Sequence, residues 1–340
     1  MPSVTAERLC PQAIWLPARM SLYADVSREI RRLFEAFTPA VEPVSIDEAF
    51  LDLGGIAHEL ADGERIARDL KQRIRDEQRL TASVGIAPNK FLAKVASDLD
   101  KPDGLVMLGH DQLADLLWPL PIDRLWGVGP KTAERLRQRR ITRIGDLARV
   151  QQAVLRGIVG AHSARHLHAL AHGRDDRPVE SQRDAKSISE ERTYTRDLVE
   201  ADAIDRALLQ RAEGVARELR RQRVAARTVH LKVRGGDFST WTRSWTLPEP
   251  TDLAEVLVEA ARRLFAERIE LGTQGVRLLG IGVSGLEAAQ PGQPELFPDR
   301  RQERIRRAAR TADAIRERLG PEALVRARLL KPRDPAEDSP

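Results

Sequence analysis

Asp47 and Glu48 are adjacent acids within the apolar run Val44-Ser45-Ile46-Asp47-Glu48-Ala49-Phe50-Leu51-Asp52-Leu53. Neighbouring carboxylates offer the oxygen donors that a hard divalent cation such as Mg2+ selects. The apolar residues around them predict a buried hairpin edge that carries both acids. Burial there is unfavourable unless a cation or hydrogen bonds compensate the charges. The plainer alternative is a solvated turn that happens to hold two acids.

Three further constellations have chemistry in them. Trp126-Gly127-Val128-Gly129-Pro130-Lys131-Thr132 places two glycines before a proline suited to the first turn of a helix. Free amides at such a helix start can hold a phosphate, with Lys131 adding charge. This is the pattern of a helix-hairpin-helix, which grips a nucleic-acid backbone without reading sequence. Arg135, Arg137, Arg139 and Arg140 favour that reading over a merely structural turn. A second basic zone runs through Arg217, Arg220, Arg221, Arg223, Arg227, Lys232, Arg234 and Arg243, with Ser239, Thr240, Thr242 and Ser244 close by. The period of two along a strand puts Lys232 and Arg234 on one face. That face suits sugar and phosphate, or is a solvated sheet face. Gln293-Pro294-Glu295-Leu296-Phe297 presents two apolar side chains in a Pro- and Gly-rich stretch, which fits a partner's groove or incidental packing. His162, His166, His168 and His172 lack the cysteines or spaced acids of a metal site and are expected at the surface.

Periodicity predicts the elements that position these residues. Residues 21–37 and 62–78 read as amphipathic helices flanking the acidic hairpin. Residues 80–86 alternate as a strand, Asn89 is a good N-cap for a helix over 90–99, and 105–108 form a short strand after a turn. The order helix, hairpin, helix, strand, helix, strand predicts an α+β sandwich with helices over one sheet. Residues 111–172 are helical with breaks, and 173–186 form a charged linker. A second α+β unit follows, with strands near 187–195, 227–234, 240–247 and 275–283 and helices near 202–221 and 252–268. Residues 286–300 are expected to be flexible, 301–319 to form a basic helix, and 331–340 to be disordered.

The chain has 340 residues, enough for two or three domains. Its formal net charge of +5 permits a nucleic-acid partner without requiring one. Cys10 is the single cysteine, so no intrachain disulfide exists. No run approaches the roughly 18 apolar residues of a membrane span, and the first residues lack the pattern of a secretion signal. A soluble cytoplasmic protein is the expectation.

Together these segments resemble the Y-family DNA polymerases, in particular the bacterial DNA polymerase IV (DinB-like) group. Ser45 to Asp52 is similar to the family's palm motif, and Ser83 to Ser97 followed by Lys101-Pro102 to its second palm signature. The Gly127–Thr132 hairpin resembles the thumb, 187–283 the little finger, and the segment from Gln293 the sliding-clamp motif. The resemblance implies a multidomain α+β fold: 1–17 a remnant of the fingers, 18–118 an incomplete palm, 119–173 a helical thumb with the helix-hairpin-helix. The rest is a linker over 174–186, an α+β little finger over 187–286, and a tail over 287–340. It implies a monomeric, error-prone translesion polymerase that uses primer–template DNA, deoxynucleoside triphosphates, two Mg2+ ions and a sliding clamp. Asp47 and Glu48 would be catalytic metal ligands and Lys101 would bind the triphosphate. Gly127, Val128, Gly129, Lys131, Thr132, Lys232, Arg234, Thr242 and Arg243 would contact DNA, and Gln293, Leu296 and Phe297 the clamp. In the family pattern a first strand with a further metal-binding Asp, and most of the fingers, precede the residue matched by Met1. This is a block of roughly sixty residues, about half a typical domain. The expectation is therefore a chain inactive as written, the alternative being a non-catalytic DNA- and clamp-binding repair protein.

Overall fold

The structure, a computed structural model, describes residues 1–57, 60–182, 184–271, 274–289 and 300–330. The chain divides into two compact units, Met1–Arg183 and Asp184–Pro340.

The first unit opens with α1 (Ser3–Leu9) and α2 (Met20–Glu35), then the hairpin strands β1 (Val41–Pro43) and β2 (Ala49–Leu51). After α3 (Leu60–Gln78) come β3 (Val84–Ile86), α4 (Lys90–Leu99) and β4 (Leu105–Met107). The expected α+β composition is present, but the strands form two separate pairs rather than one sheet. β1 and β2 are antiparallel, with Glu42 opposite Phe50, whereas β3 and β4 are parallel and joined by the α4 crossover. Each strand has only three residues, and the stretch expected as a strand from residue 80 begins its pairing at Val84. Arg79, at φ 55°, turns the chain just before it.

Leu33 of α2 packs with Leu70 and Ile74 of α3, against Leu51 of the hairpin. A larger core starts on α4 with Phe91, Leu92, Val95 and Ala96. It continues without a break through Leu117, Ile122 and Leu125 into α5 (Pro130–Arg137), α6 (Ile144–Arg149), α7 (Gln152–Val159) and α8 (Ala161–Ala171). Asn89 caps α4 as its sequence predicts, accepting the Leu92 amide at 3.0 Å. Its Nδ2 also donates to the Gly173 carbonyl at 2.7 Å, tying both ends of this core together.

The second unit runs β5 (Ser187–Leu198), α9 (Ala201–Gln222), β6 (Val224–Gly235), β7 (Thr240–Thr251), α10 (Ala254–Arg268), β8 (Val276–Ala288) and α11 (Arg300–Leu319). The antiparallel sheet has the order β5-β8-β6-β7. α9 and α10 cover one face, where Leu208, Val215, Leu219, Leu257 and Leu264 meet Val229, Leu231, Val233, Leu279 and Ile281. Alternation leaves the opposite face open. Among the described residues no helix is long and apolar enough to cross a membrane.

Candidate active site and nucleic-acid interface

The acidic hairpin differs from expectation in its exposure. Asp47 and Ile46 are exposed and Glu48 is half-buried, because both acids lie in the loop beyond strands of three residues, where alternation no longer selects a face. The loop closes through the Val44 amide, 2.9 Å from the Glu48 carbonyl, and the Ser45 hydroxyl donates to an Asp47 carboxylate oxygen. The predicted cost of burying two bare carboxylates therefore does not arise.

α4 supplies the cations that face this hairpin. Lys94 Nζ donates to Glu48 Oε1 at 2.6 Å and lies 3.5 Å from Asp98 Oδ2. Asp98 Oδ1 in turn pairs with Lys101 at 2.6 Å. Spacings of four and three residues put Lys94, Asp98 and Lys101 on one side of the helix and its exit. A chain of alternating charges thus joins Glu48 to Lys101, the two residues the sequence nominates for metal and triphosphate. Burial alone would lower the Lys94 pKa, but the hydrogen bond to Glu48 and the charges of Asp98 and Glu48 hold it above the ordinary lysine value. Burial would raise Asp98, and the Lys101 hydrogen bond and Lys94 charge bring it below its ordinary value. Lys94 and Asp98 were not singled out from the sequence; their helical spacing from Lys101 was the available signal.

The loop that carries Lys101 is held by Lys71. Its ammonium reaches the Ala82 carbonyl at 2.7 Å, the Asp103 carbonyl at 2.7 Å, the Asp103 carboxylate at 2.8 Å and the Gly104 carbonyl at 3.0 Å. On the other flank Lys90 pairs with Glu42 and lies 5.3 Å from the centre of the Phe50 ring. The Phe50 ring is 6.0 Å from that of Trp126, over which Arg177 stacks at 4.3 Å. The nominal linker is thus built into the first unit at its start. Asp175 is almost fully buried, at 2% side-chain exposure, accepting the Phe91 amide at 3.1 Å and pairing with Arg177.

Two adjacent carboxylates match Mg2+ in donor type. Among the described residues no three His, Cys, Asp or Glu side chains gather as a metal centre. His166 and His168 are half-buried rather than at the surface. Burial first, then the Arg177 charge, lowers the His166 pKa. The His168 ring lies 4.5 Å from that of His172, whose Nδ1 is 2.8 Å from the His168 carbonyl oxygen.

The glycine turn forms as its composition requires. Gly127 has φ 91°, Gly129 precedes α5 as its N-cap, and Pro130 is the first helical residue. Val128 is buried and anchors the turn, leaving Gly127, Gly129 and Lys131 exposed. A side chain at Gly129 would meet nothing within 4 Å, so the backbone there is open to a ligand.

In the second unit, cross-strand register places Thr242 beside Lys232 and Thr240 beside Arg234 on the open face. Gly280 lies opposite Lys232 and Gly282 opposite His230, keeping that face shallow. Arg243 is a correction: it lies opposite the buried Leu231, on the helix-covered side, because its odd position in β7 reverses its face. Lys232 pairs with Glu191 at 2.8 Å, and Arg234 donates to Thr240 at 2.9 Å. Arg220 points away from the sheet face, into an ion pair with Asp313 at 2.6 Å. Gln293, Leu296 and Phe297 lie outside the described residues.

Residues 1–98 match the impB/mucB/samB family, 110–139 the HHH motif of the IMS family, and 185–296 the impB/mucB/samB family C-terminal domain. The chain is 40% identical over 322 residues to a DNA polymerase IV of Desulfatibacillum aliphaticivorans, covering 94% of this chain and 81% of that protein. The chain belongs to the Y-family DNA polymerases. Within the family it is also 42% identical over 299 residues to a DNA polymerase IV of Streptomyces coelicolor, spanning 87% of this chain and 62% of the longer protein. A solved Y-family polymerase chimera of Dbh and Dpo4 shares 26% identity with it at a TM-score of 0.72, over 84% of this chain and 82% of that one. The mixed α+β fold, the helix-hairpin-helix and the sheet-bearing second unit are thus those of Y-family polymerases.

Proposed function

We propose that this chain performs the polymerase IV reaction: template-directed addition of deoxynucleotides to a primer, across damaged bases. The carrying observation is the charge chain from Glu48 through Lys94 and Asp98 to Lys101, beside the exposed Asp47. Asp47 and Glu48 would hold Mg2+, and Lys101 would leave Asp98 for the triphosphate. When bound, Mg2+ supplies activation of the primer hydroxyl and neutralisation of the phosphates. Lys94 holds the Glu48 carboxylate in place and balances its charge in the meantime. Residues 18–118 act as the palm, 119–173 as the thumb and 187–286 as the little finger.

The start of α5, which has no side-chain cap, offers backbone amides and the Lys131 ammonium to a DNA phosphate, the Val128 amide being held by the Leu125 carbonyl at 3.0 Å. Lys232, Arg234 and Thr242 offer charge and hydroxyls along the open sheet face. Such contacts position a duplex without reading it, which suits an enzyme that must accept damaged templates. Gln293, Leu296 and Phe297 would dock on a sliding clamp, keeping a monomeric cytoplasmic enzyme near the primer end.

Primer extension opposite an abasic template site, with Mg2+ and deoxynucleotides, tests the reading. Extension is expected of the chain joined to the family's first strand with its further metal-binding Asp, with its abolition in Asp47→Ala of that joined protein and DNA affinity kept within about twofold, since Asp47 touches no DNA-binding group (1.4 kcal/mol being tenfold). A joined protein that binds primer–template DNA yet extends nothing, even on undamaged template, would replace the reading with that of a DNA-binding accessory protein. Replacing Leu296 and Phe297 with Ala should abolish capture by a sliding clamp without changing DNA affinity.

A further inference from the structure

α11 is a basic helix fastened to the helix-covered side of the second unit. Its inner side is held by Asp313 to Arg220 of α9 at 2.6 Å, and by Arg316 to Glu213 at 3.7 Å. Arg306 lies 3.9 Å from Asp252, which precedes α10. The segment after the helix adds Arg326, bridging Glu213 at 2.5 Å and Glu255 at 2.8 Å. Arg220, Glu213 and Arg316 are all largely buried in this junction.

The outer side of the same helix is different. Arg304, Arg307, Arg310 and Arg318 are exposed, and none has an acidic partner among the described residues. Steps of three, three and eight residues, with Arg318 three full turns from Arg307, keep all four on one flank. Several other arginines of this unit are neutralised, including Arg206 by Asp202, Arg221 by Glu218, Arg262 by Asp205 and Arg277 by Asp197. The exposed Arg192, Arg196, Arg223 and Arg268, without acidic partners among the described ion pairs, are spread over separate elements or apart from one another. Glu303 lies within the stripe, one turn before Arg307, and Glu317 at its margin, and neither closes an ion pair with these arginines among the described ion pairs. A helix held by buried ion pairs, with four guanidinium groups that have no acidic partner among the described residues, fits a polyanion.

Position narrows the polyanion to one form. α11 ion-pairs with α9 and with Asp252 before α10, on the helix-covered side of the sheet, so its outer flank faces away from the open side. Duplex DNA is stiff over roughly 150 base pairs, so a stem held on the open face cannot turn to reach it. A single strand can. We infer that the Arg304, Arg307, Arg310 and Arg318 face of α11 binds the phosphates of single-stranded template extending from the gripped duplex. This rests on the polymerase reading in requiring that the chain bind primer–template DNA with its duplex on the open sheet face.

The test uses the full chain with a short blunt duplex and the same duplex carrying a long oligothymidine overhang. The overhang should tighten parent binding and steepen its salt dependence. The variant Arg304→Gln/Arg307→Gln/Arg310→Gln should lose that advantage, its log Kd against log salt slope falling by about 2 at about 0.7 per single-strand phosphate contact. Its blunt-duplex affinity should be unchanged. The matching triple lysine variant, which keeps the charge, should restore the overhang effect. Equal overhang binding by parent and glutamine variant would overturn the inference, as would equal weakening on both DNAs, which would assign these arginines to the duplex grip. A parent that binds neither DNA would overturn the polymerase reading as well, so the two failures are distinguishable.

Discussion

Asp175 shows how one residue can decide what a stretch of chain becomes. By composition it belongs to a charged linker, yet its carboxylate is buried against the start of α4, on the Phe91 amide and the Arg177 guanidinium. Burial by itself would raise its pKa, but the hydrogen bond and charge of Arg177, with the Phe91 amide, hold it below the ordinary carboxylate range. A depressed pKa stabilises the fold above the unfolded-state value, and that contribution is lost as pH falls through the lowered native value. Asp175→Asn should therefore lower stability at neutral pH by about 1–3 kcal/mol, since it weakens a buried, charge-assisted pair. In denaturant titrations across pH, the two proteins should converge in acid. A constant difference at every pH would show that the carboxylate charge is not what holds this segment.

At the scale of elements, α4 organises the first unit. One side of it carries Phe91, Leu92, Val95 and Ala96 into the core, and another presents Lys90 and Lys94 to the acidic hairpin. Its fit against β3 depends on Gly85, where an added Cβ would sit 2.1 Å from the Ala93 carbonyl oxygen and 2.4 Å from the Ser97 amide nitrogen. Both obstacles are helix backbone and cannot swing away. Gly85→Ala should cost about 3 kcal/mol by forcing strand and helix apart, with a matching fall in Tm. Gly129→Ala, at φ −80° and facing open space, should leave Tm nearly unchanged. If both variants unfold alike, the close approach of β3 to α4 is not the reason for the glycine.

At the scale of the molecule, a net charge of +5 on 340 residues is modest, and local placement decides its use. Primer–template binding should be sequence-independent and strongly salt-dependent. Lys131 has no acidic partner among the described ion pairs, whereas Lys232 must leave Glu191 to reach a phosphate. Lys131→Ala should therefore reduce the salt slope by about 1 and weaken all sequences equally, and Lys232→Ala should do less. A larger effect at Lys232, or a preference for one sequence, would contradict this account.

The sequence by itself determined the order of elements over residues 20–107 and from residue 187 onward, the Asn89 cap and the glycine turn before Pro130, because caps, turns and amphipathic periods are local. α1 (Ser3–Leu9), in a stretch without a clear period, was not legible. It also carried the two palm signatures that resemble the family. Only the tertiary structure decided that Asp47 is exposed, that Lys94 and Asp98 bridge Glu48 to Lys101, and that Arg220 belongs to an internal ion pair. It also decided that Arg243 lies on the covered face, since strand register converts position into direction only once β6 and β7 have paired. The physical reason is the same for the Glu48–Lys94 contact, for Arg220 and for Arg243. Local propensity depends on neighbours in the chain, but the partner and exposure of a charged side chain depend on residues tens of positions away.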